Sequence, residues 1–229
     1  SSARFFQRPN ANYVDYDTTR TSLTGYNANL EFEKNAGEHW LWEVEFGAES
    51  PEFEINDIGL ITTVDDIRTE GSLTYRENEP GDLFRDYRFS IFANSRFNYG
   101  GLRTNTLTSF SWDFSFHNFW GFNGNVFQDY AAFSDNLTRG GPVAASPFRW
   151  GGNLRINTNR SKNTSGNLRL SGSTNELGGW NYRISGGITA RPGGQWRINL
   201  DPRYSRSKDM RQYITTLDKG PDATFGKRY

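Results

Sequence analysis

Apolar and polar side chains alternate with a period of two in ten separate stretches of the chain. Over 24–33, Tyr26, Ala28, Leu30 and Phe32 alternate with Asn27, Asn29, Glu31 and Glu33. Over 39–49, Trp40, Trp42, Val44, Phe46 and Ala48 alternate with Glu43, Glu45 and Glu49. The same pattern covers 67–76, 87–99 and 106–117, and it returns five times between Trp120 and Leu200. Successive side chains of a strand point to opposite faces, so each stretch predicts a strand with one aromatic, apolar face and one polar face. No stretch of comparable length has the i, i+3, i+4 spacing of an amphipathic helix. The predicted fold class is all-β: an antiparallel transmembrane β-barrel, with about ten strands in this chain.

The connections support this reading. One parity is short, at 34–38, 77–82, 117–118, 160–165 and 191–194. The other holds the longer segments 50–66, 130–149 and the tail after 206, with two short members near Gly100 and at 175–179. Short turns on one rim and longer loops on the other are the habit of outer-membrane barrels, whose short turns face the periplasm.

Hydrophobic residues make up only 34% of the 229 residues and the mean hydropathy is −0.77, values that alone suggest a soluble protein. A transmembrane barrel accommodates them, because only alternate strand residues meet lipid. No run reaches the ~18 apolar residues of a membrane-spanning helix. Aromatics are abundant at 16%, and Trp40, Tyr75, Tyr99, Trp120, Trp150, Trp180 and Trp196 fall near strand ends. Amphipathic rings at that depth form the interfacial girdles of barrels. The plainer alternative is a soluble two-sheet sandwich, with the aromatic faces packed on a shared core. The chain opens SSARFFQRPN, without a basic segment followed by an apolar one, so residue 1 is read as the start of a mature protein or an internal point of a longer one.

Charge is sorted along the chain although it sums to zero, which leaves no electrostatic argument for a nucleic-acid partner. Residues 1–80 hold 16 acids and 6 bases, 81–139 hold five of each, and 140–229 hold 5 acids and 15 bases. Much of this falls on positions opposite the aromatic ones: Glu31, Glu33, Glu43 and Glu45 early, Arg155, Arg169, Arg183 and Arg197 late. In a barrel these become two charge walls of the lumen, either salt-bridged internally or setting a transverse field across a water-filled pore.

Catalytic chemistry has little to draw on, and a non-enzymatic protein without cofactor or metal is expected. Cysteine is absent, and the two histidines, His39 and His117, each stand alone at a strand end. Asp65 and Asp66, with Asn56 and Asp57 upstream, offer oxygen ligands for Ca²⁺, but their spacing fits no EF-hand and favours a solvated loop. The glutamates read as an acidic wall rather than a glycosidase pair. GGPVAASP at 140–147 lacks the Lys-Ser/Thr of a phosphate-binding loop. Phe148, Arg149 and Trp150 are the candidate loop contacts, with the aromatic N-terminal arm of Phe5, Phe6, Tyr13 and Tyr16 beside them.

Five stretches carry a family resemblance: FFQRPNANYVDYDTTRTSLTGYNANL at 5–30, SPEFEINDIGLITTVDDI at 50–67, YRENEPGDLFRDYRFS at 75–90, RGGPVAASPFRWGG at 139–152, and the tail from Tyr204 to Tyr229. Together they resemble the DUF5916 barrel of large Bacteroidota outer-membrane proteins, which also carry an N-terminal family-9-like carbohydrate-binding domain. SPEFEINDIG and the RGGP loop are the most specific of these stretches. The resemblance implies one domain over 1–229, a fragment of a longer chain and an arc of a larger barrel in the bacterial outer membrane. It also implies a part in binding or passage of extracellular carbohydrate. Expected partners are outer-membrane lipid, the remainder of the barrel or a surface complex, and polysaccharide. The alternatives are a structural anchor or scaffold barrel of a surface complex, or a soluble extracellular carbohydrate-binding β-module.

Overall fold

The computed structural model describes residues 11–14, 17, 19–53, 64–134, 137–138, 143–210, 215, 217–221 and 226–228. Fifteen strands and no helix form among them. They are β1 (Asn27–Lys34), β2 (Trp40–Glu49), β3 (Asp66–Glu77), β4 (Phe84–Phe97), β5 (Arg103–Phe116), β6 (Gly121–Asp129), β7 (Ala132–Ser134), β8 (Ala144–Ser146), β9 (Arg149–Asn157), β10 (Thr164–Asn175), β11 (Trp180–Ala190), β12 (Ile198–Leu200), β13 (Arg203–Lys208), β14 (Leu217–Asp218) and β15 (Lys227–Arg228).

Eleven of these strands build one antiparallel sheet in the order β1-β2-β3-β4-β5-β6-β9-β10-β11, with β12 and β13 both pairing β11. The last two are one strand line. Ile188 opposite Leu200 and Ser185 opposite Arg203 belong to the same unbroken register. The line is interrupted at Pro202, which has no N–H to give the ladder, although its carbonyl still accepts from Gly186 N at 3.0 Å. The sheet therefore has ten strand lines, the number read from the alternation. Among the described residues no pairing joins β1 to the far edge, so the sheet is open and not a closed barrel.

The short connections are tight hairpin turns. Between β10 and β11, Asn175 Oδ1 accepts from Leu177 N and Gly179 N at 3.0 and 2.9 Å, and Gly178 takes the left-handed φ of 83° that the reversal needs. The long connection from β6 to β9 carries its own two-strand hairpin, β7–β8. Within the main sheet only the β2–β3 and β6–β9 connections are long, both on the same rim, while β4–β5 and β10–β11 on that rim turn tightly.

The register keeps the apolar side chains in rows on one face. Leu30, Phe46 and Thr69 are successive cross-strand partners, as are Leu73, Ile91, Phe110 and Val126. Toward the short-turn rim the rows become a run of touching rings: Trp40 against Tyr75 at 5.0 Å, Tyr75–Tyr87 at 6.2 Å, Tyr87–Phe114 at 6.4 Å and Phe114–Phe122 at 6.1 Å. Trp112 lies over Gly124, where a Cβ would stand 2.7 Å from its ring.

No hydrophobic core lies under this face. Among the described residues the buried hydrophobics are Ala11, Val64 and Ala132, while Leu30, Phe46, Ile91 and Trp150 expose 55%, 46%, 55% and 56% of their surface. The chain exposes 15261 Å² in all, where a compact monomer of 26.2 kDa would expose roughly 10,600 Å². The main sheet is a single layer, and the described residues supply no second sheet against its apolar face.

Candidate functional site

The face opposite the aromatic rows gathers the polar and charged strand positions. Glu31, Glu45, Glu70 and Asn94 form one cross-strand row over β1–β4, with Glu33 opposite Glu43 one step along. Like charges directly opposite each other repel, and two arginines relieve this locally. Arg68 reaches Glu45 at 3.1 Å, Glu49 at 3.6 Å and Asn29 Oδ1 at 2.9 Å. Arg96 reaches Glu70 at 3.2 Å and Asp66 at 3.9 Å.

Arginines collect at the other end of the same face. Arg155 on β9 and Arg169 on β10 are direct cross-strand partners. Arg183 opposes Ser171, and Arg203 opposes Ser185, which in turn faces Arg169. Four guanidiniums thus zigzag over β9, β10, β11 and β13. Arg197 stands just ahead of β12 and donates from Nε to Asn199 Oδ1 at 3.4 Å. All eight positions read from the sequence as charge walls fall on the polar side, the acids on β1–β2 and the arginines from β9 onward. The alternation did not disclose that Arg68 and Arg96 neutralise the acids in place, since that needs the strand register.

The family model described as Domain of unknown function (DUF5916) matches residues 2–229. The chain belongs to the DUF5916 family. No curated protein and no solved structure matches it.

In this DUF5916 chain the candidate loop contacts do not converge. Trp150, the second residue of β9, lies on the aromatic face, opposite Gln128 and Thr174. Arg149, one residue earlier, points to the polar side and pairs with Asp129 at 3.0 Å. Phe148 packs edge-on against Tyr130 at 5.9 Å, and its backbone exchanges bonds with Glu176 at 3.0 Å. Strand alternation separates Arg149 from Trp150, a split already visible in the sequence once β9 begins at 149.

The long-loop rim holds a buried polar knot. Asp65, 3% exposed, accepts from the Tyr13 hydroxyl and from Tyr99 N at 2.9 Å, and it takes a left-handed φ of 62°. Beside it Tyr26 and Tyr99 share a hydroxyl–hydroxyl bond of 2.8 Å, and burial followed by that bond raises the Tyr99 phenol above the ordinary tyrosine range. Both oxygens of Asp65 are thus engaged by the protein, and Asp66 lies near Arg96. Asn56 and Asp57 lie outside the described residues, as do Phe5, Phe6 and Tyr16 of the arm. No group of three or more metal-ligating side chains occurs among the described residues. His39 Nδ1 lies 3.2 Å from the carbonyl of Arg76 and His117 Nε2 lies 2.7 Å from that of Gly81, so each histidine sits against a rim carbonyl.

Proposed function

We propose that this chain forms part of the wall of an outer-membrane β-barrel that binds or passes extracellular carbohydrate, without catalysing a reaction. The observation that carries the proposal is the bare apolar face. A one-layer sheet that leaves Leu30, Ile91, Val126 and Ile188 about half exposed cannot be stable in water, because burial of that face is what stabilises a sheet. Hydrocarbon supplies the missing contact. A soluble sugar-binding module would need a second layer on the aromatic rows.

Strand dimensions fit the same reading. The main strand lines run from 8 to 14 residues, and a tilted strand of ~9–11 residues crosses the hydrocarbon layer. Aromatic rings at both rims suit interfacial depth, with Trp40, Tyr75 and Tyr87 near the short turns and Tyr26, Tyr99 and Trp180 near the long loops. On this reading the short turns face the periplasm, and the two free edges continue into further strands, because an unpaired edge does not persist in hydrocarbon. Carbohydrate as the cargo rests on the family resemblance alone, through the sugar-binding domain that accompanies such barrels.

The test uses the intact protein carrying this segment. It should fractionate with the outer membrane, need detergent for extraction, and conduct ions in a planar bilayer when its lumen is open. Extraction by salt or carbonate alone would end the membrane reading. Insertion without conductance would leave an anchor barrel in place of a passage.

A further inference from the structure

The two charged ends of the polar face differ in a way their composition does not reveal. The acids of β2 and β3 come with their own cations, Arg68 and Arg96. The arginine zigzag has no such complement: Arg155, Arg169, Arg183 and Arg203 make no ion pair among the described residues, and Arg155 donates only to Asn157, at 3.1 Å along its own strand. Side chains of direct cross-strand partners start roughly 5 Å apart, so Arg155 and Arg169 repel unless an anion sits between them. The glutamates cannot serve. From β3 to β9 is four strand spacings, roughly 19 Å along the sheet, far beyond ion-pair reach. Asp201 shares the polar face near Arg203 and still forms no pair with it, and Asp113, two strands from Arg155 in the same row, forms no ion pair with it either.

The other cross-strand partners of the zigzag are neutral and hydrogen-bonding. Asn153 and Ser171 lie in the row of Arg183, and Ser205 is its partner on β13. A groove of about 520 Å³ adjoins it, lined by Arg88, Ser111, Asp113, Asn123, Asn125 and Asn153. Guanidinium forks bind planar or tetrahedral oxyanions through two parallel bonds, whereas amides and hydroxyls suit the hydroxyls of a sugar.

We propose that the arginine zigzag is a binding track for an anionic saccharide, one bearing sulfate or carboxylate groups, inside the barrel. This rests on the barrel reading and narrows its cargo to a charge class. Four guanidiniums on neighbouring strands, roughly 5 Å apart from strand to strand, line up charges for a chain of anionic sugars, and the groove beside them offers Ser111, Asn123, Asn125 and Asn153 to its hydroxyls.

The experiment uses the intact protein in detergent or nanodiscs, with dextran sulfate, oligogalacturonate and neutral dextran of matched length as probes. At least one anionic probe should bind, more weakly as salt rises, and neutral dextran should not. The two anionic probes separate sulfate from carboxylate recognition. R155Q/R169Q/R183Q/R203Q should weaken that binding by at least about tenfold. The corresponding lysine variant, which keeps charge but loses the fork, should fall between, and E31Q/E43Q should bind as the parent does. Equal binding of neutral and anionic probes, or none by either, overturns the proposal. So does a glutamine variant that melts earlier yet binds unchanged, which would assign the arginines to an acidic segment of the barrel itself. Should the protein insert into bilayers and bind no anionic probe, only this inference fails; should it not insert, the barrel reading fails first.

Discussion

Arg68 lies across Gly47: a Cβ built on that glycine would stand 2.6 Å from Arg68 Nε. The missing side chain lets the guanidinium cross β2 and bond Asn29 on β1 while it holds Glu45 and Glu49. Replacing Gly47 with valine should push Arg68 off this path and destabilise the β1–β3 region by about 1–3 kcal/mol, the usual cost of overpacking. Arg68→Ala should give a similar loss by leaving Glu45 and Glu49 without the cation that holds them. Hydrogen exchange confined to β1–β3 would read both effects, and unchanged protection in both variants would show that the crossing contributes nothing.

Phe110 and Ser111 are neighbours in the middle of β5 and point to opposite faces. If the aromatic face meets lipid, Phe110→Arg near mid-bilayer should cost roughly 2–4 kcal/mol, and Ser111→Arg far less. Equilibrium unfolding in vesicles measures both. Equal tolerance at the two positions would leave no lipid-facing side.

Tyr13 ties the N-terminal arm to the rim through the buried Asp65. Tyr13→Phe removes that donor and leaves Tyr99 N on the carboxylate, at an expected local cost of about 1–3 kcal/mol for a buried group losing its partner. The arm should then be cut by protease much faster than in the parent, with the sheet unaffected. Unchanged cleavage would mean that the arm is held by other contacts.

The Tyr99 phenol is pushed above the ordinary range by burial and by its bond to Tyr26. A raised acid pKa means the folded state keeps the proton longer. The contribution is therefore complete below the ordinary tyrosine pKa of about 10 and is lost as pH rises through the folded value. The parent should lose thermal stability on going above pH ~10 by more than Tyr99→Phe does. Parallel loss in both would remove the pair as a source of stability.

Most of the sheet was legible because alternation survives wherever a strand has two unlike faces, as in Trp40–Glu49 and Arg103–Phe116. It failed where a strand has no apolar face to reveal. Ala132–Ser134 and Ala144–Ser146 have three residues each, too few to show alternation, so the sequence predicts only loop over 130–149. Arg203–Lys208 is an edge strand with Tyr204 as its lone large apolar residue, so alternation does not carry the strand to Lys208 and the tail is expected from 206. The charge walls were legible as faces but not as chemistry. Which carboxylates own a cation depends on Arg68 opposing Gly47 and Arg96, a matter of register that one strand's sequence does not contain.

The claim that the aromatic face lies in hydrocarbon has a direct optical test. Trp40, Trp42, Trp112, Trp150 and Trp180 all lie on that face by register, and no strand tryptophan lies on the polar one. The measurement is tryptophan emission from the intact protein in vesicles of brominated phosphatidylcholine, compared with unbrominated vesicles and with aqueous iodide as the quencher. A lipid-facing sheet gives strong quenching by the brominated chains and little by iodide. Emission indifferent to bromination but quenched by iodide would place these rings in water and contradict the membrane account.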